Sequence, residues 1–378
     1  MTSRQRLVAT LQGTPVDRPA VSFYEIGGFA VDPQNPDPFN IYNDPSWRPL
    51  LDLAEQHTDL IRMRSAGQSF RHPQLRKSIF HYQDQTSDGS RQSNLRIETG
   101  GRTLTQSQRR DAAVDTVWTL EHLLKNEQDV EAYLEIPDEA LAVGADCAGI
   151  LAVDAEVGER GIVMIDTADP LCLAAATMSM EDYTVLALTQ PPLFHRLLEK
   201  MARFLQPWIE QVAQACPGFL WRICGPEYAA EPYLPPRLFE EYVVRYVRPM
   251  IDAIHRHSGY ARVHCHGRIR KVLPHIVAMG ADATDPIEPP PQGDIQLIEV
   301  RRVYGQQLAL FGNLEACDLE NMEPAAFEQR VAAALREGTT GQGRGFVLMP
   351  SACPYGRTIT QRTLANYQTM VRLATGIS

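Results

Sequence analysis

The chain has 378 residues, 44% hydrophobic and 22% charged, a composition that suits a globular protein with a sizeable core. A formal net charge of −10 argues against nucleic acid or an anionic membrane as a partner. No apolar run reaches the roughly 18 residues that a membrane span needs, and the opening "MTSRQRLVATLQGTPVDRP" carries no signal-peptide core.

In chain order, "SRQRLVATLQG" predicts a short helix and Ala20 to Tyr24 a strand, broken by Gly27 and Gly28. A helix over "PSWRPLLDLAEQH" leads into a second strand, "DLIRMRS". Residues 79–118 alternate in short runs, with Asp88-Gly89 and Gly100-Gly101 as turn signals, which predicts an antiparallel β-hairpin insertion. Beyond residue 120 helices and strands alternate. "PDEALAVGADCAGILAVDAEV" reads as helical, and "PPLFHRLLEKMARFLQPWIEQVAQAC" carries an apolar stripe at Leu193, Leu197, Leu198, Met201, Phe204 and Leu205. Outside the insertion, eight strands fall near residues 20, 60, 163, 219, 262, 282, 308 and 346. Eight successive βα units predict an α/β chain folded as a single (β/α)8 TIM barrel over 1–378, with an N-terminal helical segment. An open doubly wound sheet is the alternative, but no glycine-rich dinucleotide loop follows its first strand.

Barrels of this kind place their chemistry at the C-terminal strand ends. Those ends read Tyr24-Glu25, Arg62-Met63-Arg64, Asp166-Thr167, Glu227-Tyr228, His264-Cys265-His266, Asp285, Asn313-Glu315 and Ser351-Cys353. In "RVHCHG", strand alternation puts His264 and His266 on one face, about 6.6 Å apart at about 3.3 Å per residue. Two imidazoles at that spacing can share a metal, and Cys265 points away from them. Cys353 or Glu227 would complete the shell, a set that suits Zn2+. Structural roles for these residues, as helix cap, ion pair or buried thiol, compete with that reading. In "DPIEPPPQGD" three prolines stiffen a loop that would hold Asp285 and Glu288 at the mouth, or would simply connect two elements. The seven cysteines, odd in number and irregularly spaced, predict reduced thiols and a cytoplasmic location.

An ordered set of stretches carries a family resemblance: "LQGTPVDRPAV", "PPLFHRLLEKM", "PPRLFEEYVVRYVRPMIDAIHRHSG", "HCHG", "MGADATDP", "LALFGNLE", and the segment from "GFVLMPSAC" to "NYQTMVRLA". The chain resembles the uroporphyrinogen decarboxylase superfamily over nearly its full length, which implies a (β/α)8 barrel. True decarboxylases of that superfamily carry "RQAGR" after the first strand and a "GHG" loop after the last; here those places read "YEIGGFA" and "PSACPYG". The resemblance is nearer to the zinc methyltransferases that work with corrinoid proteins or coenzyme thiols. Their His-x-Cys-Gly is matched here by His264, His266 and Gly267, and their last cysteine falls near Cys353.

The resulting expectation is a zinc-dependent methyltransferase. It would move a methyl group between a small methoxy-type donor and a corrinoid (cobalamin) held by a partner protein, or a thiol. Zinc would be held by His264 and His266 with Cys353 or Glu227. Glu25, Asp285 or Glu288 would act as acid or base where burial raises its pKa. Tyr24, Arg64, Asp166, Tyr228 and Asn313 would line the substrate pocket. The resemblance is also compatible with a homodimer. The alternatives are a metal-free decarboxylase, a metal-dependent hydrolase and a non-catalytic corrinoid-docking barrel.

Overall fold

The computed structural model describes residues 1–24, 26, 32–87 and 89–376. Eight short apolar segments form parallel strands: β1 Ala20–Val21, β2 Leu60–Arg64, β3 Gly161–Ala168, β4 Leu220–Cys224, β5 Tyr260–His264, β6 Ala283–Asp285, β7 Ala309–Leu314 and β8 Phe346–Pro350. Neighbours follow chain order from β2 to β8, and β8 pairs with β1. Helices on the outside link the strands, so the expected (β/α)8 barrel is formed.

The seam between β1 and β2 rests on one buried carboxylate. The Asp59 N–H donates to the Val21 carbonyl at 2.8 Å, and the Val21 N–H donates back to the Asp59 side chain at 3.0 Å. Arg6 reaches the same carboxylate at 2.6 Å and Arg18 at 2.8 Å. Asp59 is fully buried, and its charge is matched by the two guanidinium groups.

Alternation along the strands splits the core into two layers. Ala20, Tyr24, Ile61, Met63, Ile162, Met164, Leu220, Ala283, Ala309, Phe311, Val347 and Met349 fill the lumen. Leu7 and Leu11, from the helix Ser3–Gln12, join this cluster and plug its lower end. Residues of opposite parity, such as Val21, Val163, Trp221, Val263 and Leu348, pack against the surrounding helices.

The antiparallel insertion is present and is larger than a hairpin. Four strands, Phe80–Ser87, Ser90–Thr99, Arg102–Asp111 and Val117–Glu121, pair in sequence order. Gly100 and Gly101, both with positive φ, make the two-residue turn between the second and third; Asp88, in the first turn, lies outside the described residues. The insertion is tied to the loop after β8 by backbone bonds from Arg357 to Ala113 and from Asp115 to Tyr355. The stretch 137–157, expected to be one helix, is instead helix Asp138–Leu141, strand Val143–Asp146 and helix Ala148–Val157. Val143–Asp146 pairs with Gly67–Phe70, a long-range partner that local helical propensity cannot foresee. Among the described residues no helix is long and apolar enough to cross a membrane.

Removing the seam carboxylate takes away the group that Arg6 and Arg18 share and the acceptor of the Val21 N–H, and leaves Arg6 to Asp17 alone. Asp59→Ala is therefore expected to destabilise the fold by about 3–5 kcal/mol, measured by urea denaturation. A loss below about 1 kcal/mol would show that the seam does not depend on it.

Candidate functional site

On β5, Ala261, Val263 and Cys265 join the outer layer, so Arg262, His264 and His266 share the lumen side. Arg262 is fully buried, with its guanidinium 5.0 Å from the Phe311 ring and 5.9 Å from the Tyr24 ring. Arg222 is its register partner on β4 and lies 5.5 Å from the same tyrosine ring. Arg222 is held by Asp166, its register partner on β3, at 2.9 Å.

Both histidines are oriented through Nδ1. Asp285 ends β6 opposite His264, and its Oδ2 lies 2.8 Å from His264 Nδ1. The other carboxylate oxygen lies 3.0 Å from Arg262 Nε, at an angle that gives charge attraction without a directional hydrogen bond. Glu288, in the loop after β6, places Oε1 2.8 Å from His266 Nδ1, while its Oε2 accepts the Gly267 N–H at 2.6 Å. A Cβ at Gly293 would stand 1.8 Å from the Glu288 carbonyl oxygen, so the proline loop can fold back on Glu288 only at a glycine. The two imidazoles meet edge to face with centroids 4.5 Å apart, and Tyr24 stacks on His264 at 6.0 Å.

Neighbouring groups shift in opposite directions. Burial lowers His264 to about 4, against the pull of Asp285, so it is neutral at pH 7. Burial also acts to lower His266, but the Glu288 hydrogen bond and charge, with Glu227 and Asp285 behind them, raise it overall. Asp285 and Glu288, expected to rise on burial, are lowered. Desolvation pushes Asp285 up, but Arg262 and His264 hold it well below the carboxylate range; His266 lowers Glu288 against the same desolvation. The raised carboxyls include Glu227 and Glu315. Desolvation raises Glu227, and it raises Glu315 to about 7 with the help of the Glu288 charge.

The remaining expected residues divide. Tyr24 and Asp166 belong to the lumen around the arginines. Asn313 lies on the lumen parity of β7, following Phe311. Glu227 sits in the short turn Pro226–Ala229 after β4 and accepts the Gly225 N–H at 3.2 Å. Tyr228, in the same turn, packs edge-on against Tyr183. Arg64 has the parity of Arg62, opposite Met63, on the side of the Glu55 and Glu156 helices rather than the lumen. Cys353 is buried in the outer apolar layer. Glu25 lies outside the described residues. Arg262 is not among the expected site residues, although strand parity points it into the lumen, and Glu315 lies on the expected strand end after β7 with no role assigned to it.

The donor chemistry of His264 and His266 suits a zinc ion. Each anchors Nδ1 on a carboxylate and has Nε2 as its second donor, the arrangement of metal-bound histidines. Among the described residues, no group of three or more His, Cys, Asp or Glu side chains is placed to hold a metal. Neither Cys353 nor Glu227 therefore completes such a set with the pair.

Barrels with titratable groups gathered on the C-terminal strand ends form a class whose chemistry sits at that mouth. A family model described as uroporphyrinogen decarboxylase (URO-D) matches residues 116–375, more than half of the chain, and the chain belongs to that family. No curated protein matches it. Among solved structures, a methyltransferase from Methanosarcina mazei is similar in fold, with a TM-score of 0.59 and 15% identity, covering 100% of this chain and 99% of the other.

The low proton affinity of His264 predicts a stability slope in metal-free protein. The unfolded chain binds that proton near pH 6.5 and the folded chain near 4. Between these values the unfolded state holds more protons, so stability falls as the pH drops across the window, by roughly 3 kcal/mol in total. His266 acts on the other side, where its contribution is lost as the pH rises above 6.5. Urea denaturation from about pH 7 to about pH 4 is expected to show the acid slope, and His264→Asn to flatten it. An identical slope in that variant would rule out His264 as its source.

Proposed function

We propose that the protein is a methyltransferase that takes a methyl group from a small methoxy-type donor and passes it to a corrinoid carried by a partner protein. The observation that carries this reading is the pair of imidazoles at the end of β5, each fixed through Nδ1 by its own carboxylate. The fold likeness to a methyltransferase supports it.

His264 and His266 would supply two of the zinc's ligands through Nε2, the remaining positions falling to water or the donor. When bound, zinc supplies a Lewis acid that polarises the donor's oxygen or sulfur. The chain's own groups do the rest. Asp285 and Glu288 fix the two rings, and Arg262 keeps Asp285 ionised so that it continues to accept the His264 Nδ1–H. Tyr24 covers the guanidinium layer and gives the donor an aromatic floor. The insertion, tied to the loop after β8, stands beside the mouth where a corrinoid carrier would approach.

Two measurements test the reading. Elemental analysis of protein purified with zinc is expected to find about one zinc per chain, largely lost in His264→Ala. Incubation with free cob(I)alamin and a panel of methanol, methoxybenzene and methoxyacetate is expected to give the absorbance of methylcobalamin. Metal-free protein that converts uroporphyrinogen to coproporphyrinogen would replace this reading with decarboxylation.

A further inference from the structure

Glu315 follows β7 directly and is the N-cap residue of the helix Ala316–Asn321, with Glu288 and His266 among the charges that act on its carboxyl group. It is 7% exposed. Its Oε2 accepts a hydrogen bond from Ser351 Oγ at 3.3 Å, and Ser351 Oγ in turn accepts the Ala316 N–H at 3.1 Å. The hydroxyl thus spends its proton on Glu315. Oε1 is buried with no hydrogen-bond partner.

A carboxylate left in that state would have one oxygen stripped of water and unpaired, a cost of several kcal/mol. Its charged neighbours make matters worse. Glu288 is ionised, held so by His266 and the Gly267 N–H. Asp318, one turn further along the chain, adds a second negative charge, and only the more distant His266 opposes them. The largest influences on Glu315 include no arginine or lysine among the described residues, whereas Asp285 has Arg262 beside it. Two carboxyls in one site whose surroundings push them apart sort into an ionised member and a protonated one.

The geometry points to Glu315 as the proton donor of the site, giving its proton to the leaving oxygen of a methyl ether. This rests on the methyl-transfer reading for its reaction, though not for its protonation state. The step balances simply. The C–O bond of the donor breaks and its electron pair stays on oxygen, which takes the Glu315 proton to leave as an alcohol. The methyl carbon forms its new bond with an electron pair from the reduced corrinoid acceptor. Glu315, now a carboxylate, is reprotonated from water. The assignment also narrows the donor. An acid is useful where the leaving group is a poor, basic oxygen, and of little use where a thioether or sulfonium departs.

Infrared difference spectroscopy over a pH titration, on protein labelled with 13C-glutamate, tests the protonation state without any substrate. Wild type is expected to show a glutamic acid band that disappears as the pH rises through about 7, and Glu315→Gln to lack it. A wild-type spectrum without such a band, or the same band in Glu315→Gln, overturns the inference. In the cob(I)alamin assay with the methoxy donors, Glu315→Gln is expected to lower kcat about 100-fold or more and to lose the alkaline limb of the pH profile. Glu315→Asp, which keeps an acid, is expected to retain that limb at a shifted position. An unchanged rate and profile in Glu315→Gln overturns the role. Wild type that methylates no cobalamin from any donor removes the methyl-transfer reading, and the infrared band then decides alone whether Glu315 holds the proton.

Discussion

The site is organised around an ion pair inside the barrel. Arg262 and Asp285 are both fully buried, and neither oxygen–nitrogen alignment nor solvent makes the pairing cheap. A buried pair of this kind contributes little net stability, and a well-packed apolar pair would often do better. Its consequence is positional. With Arg262 beside it, Asp285 stays ionised and continues to accept the Nδ1–H of His264. The lumen accommodates the guanidinium with soft and aromatic neighbours, Met349 at 3.8 Å and the rings of Tyr24 and Phe311, which suit a weakly hydrated, planar cation better than a compact ammonium.

That pair helps explain why buried acids at the same mouth behave differently. Burial alone raises a carboxyl, and it does so at Glu227 and Glu315. Asp285 and Glu288 are buried too, yet Arg262 and the two imidazoles reverse the sign. The imidazoles divide in the same way. His264, fully buried and acted on by Arg222, is lowered; His266, beside Glu288 and Glu227, is raised. The mouth therefore sets carboxyls and imidazoles with opposite shifts beside one another, within one layer of strand ends.

Much of this was legible in the sequence, because the signals were periodic. Eight apolar runs between helices gave the barrel, and period-two alternation placed His264 and His266 on the same face, as the structure has them. The same rule puts Arg262 inward, two residues before His264, but a charged side chain in a barrel lumen runs against the usual distribution of residues between core and surface, so the general rule hid the particular case. It also turns Arg64 away from the lumen, since Met63 faces in. Past the strand ends the period stops. "SACPYG" contains nothing that says which way Cys353 points, and its place in the outer layer follows from the fold of the loop after β8. The strand Val143–Asp146 was illegible for a related reason: its partner lies more than 70 residues away.

The two ends of the barrel carry different burdens. At the lower end Leu7 and Leu11 seal the lumen, and Asp59 closes the seam with every oxygen matched by a donor. At the mouth, polar atoms are left unmatched: Arg262 Nη2, Arg222 Nε and Glu315 Oε1 are buried without hydrogen bonds. Unsatisfied groups of this kind cost stability; others lie elsewhere in the fold, at Thr10, Trp208 and Asn366 among them, but those at the mouth include two arginines and a carboxyl. They are also groups that a polar substrate could satisfy, so binding would recover part of what the empty mouth forgoes.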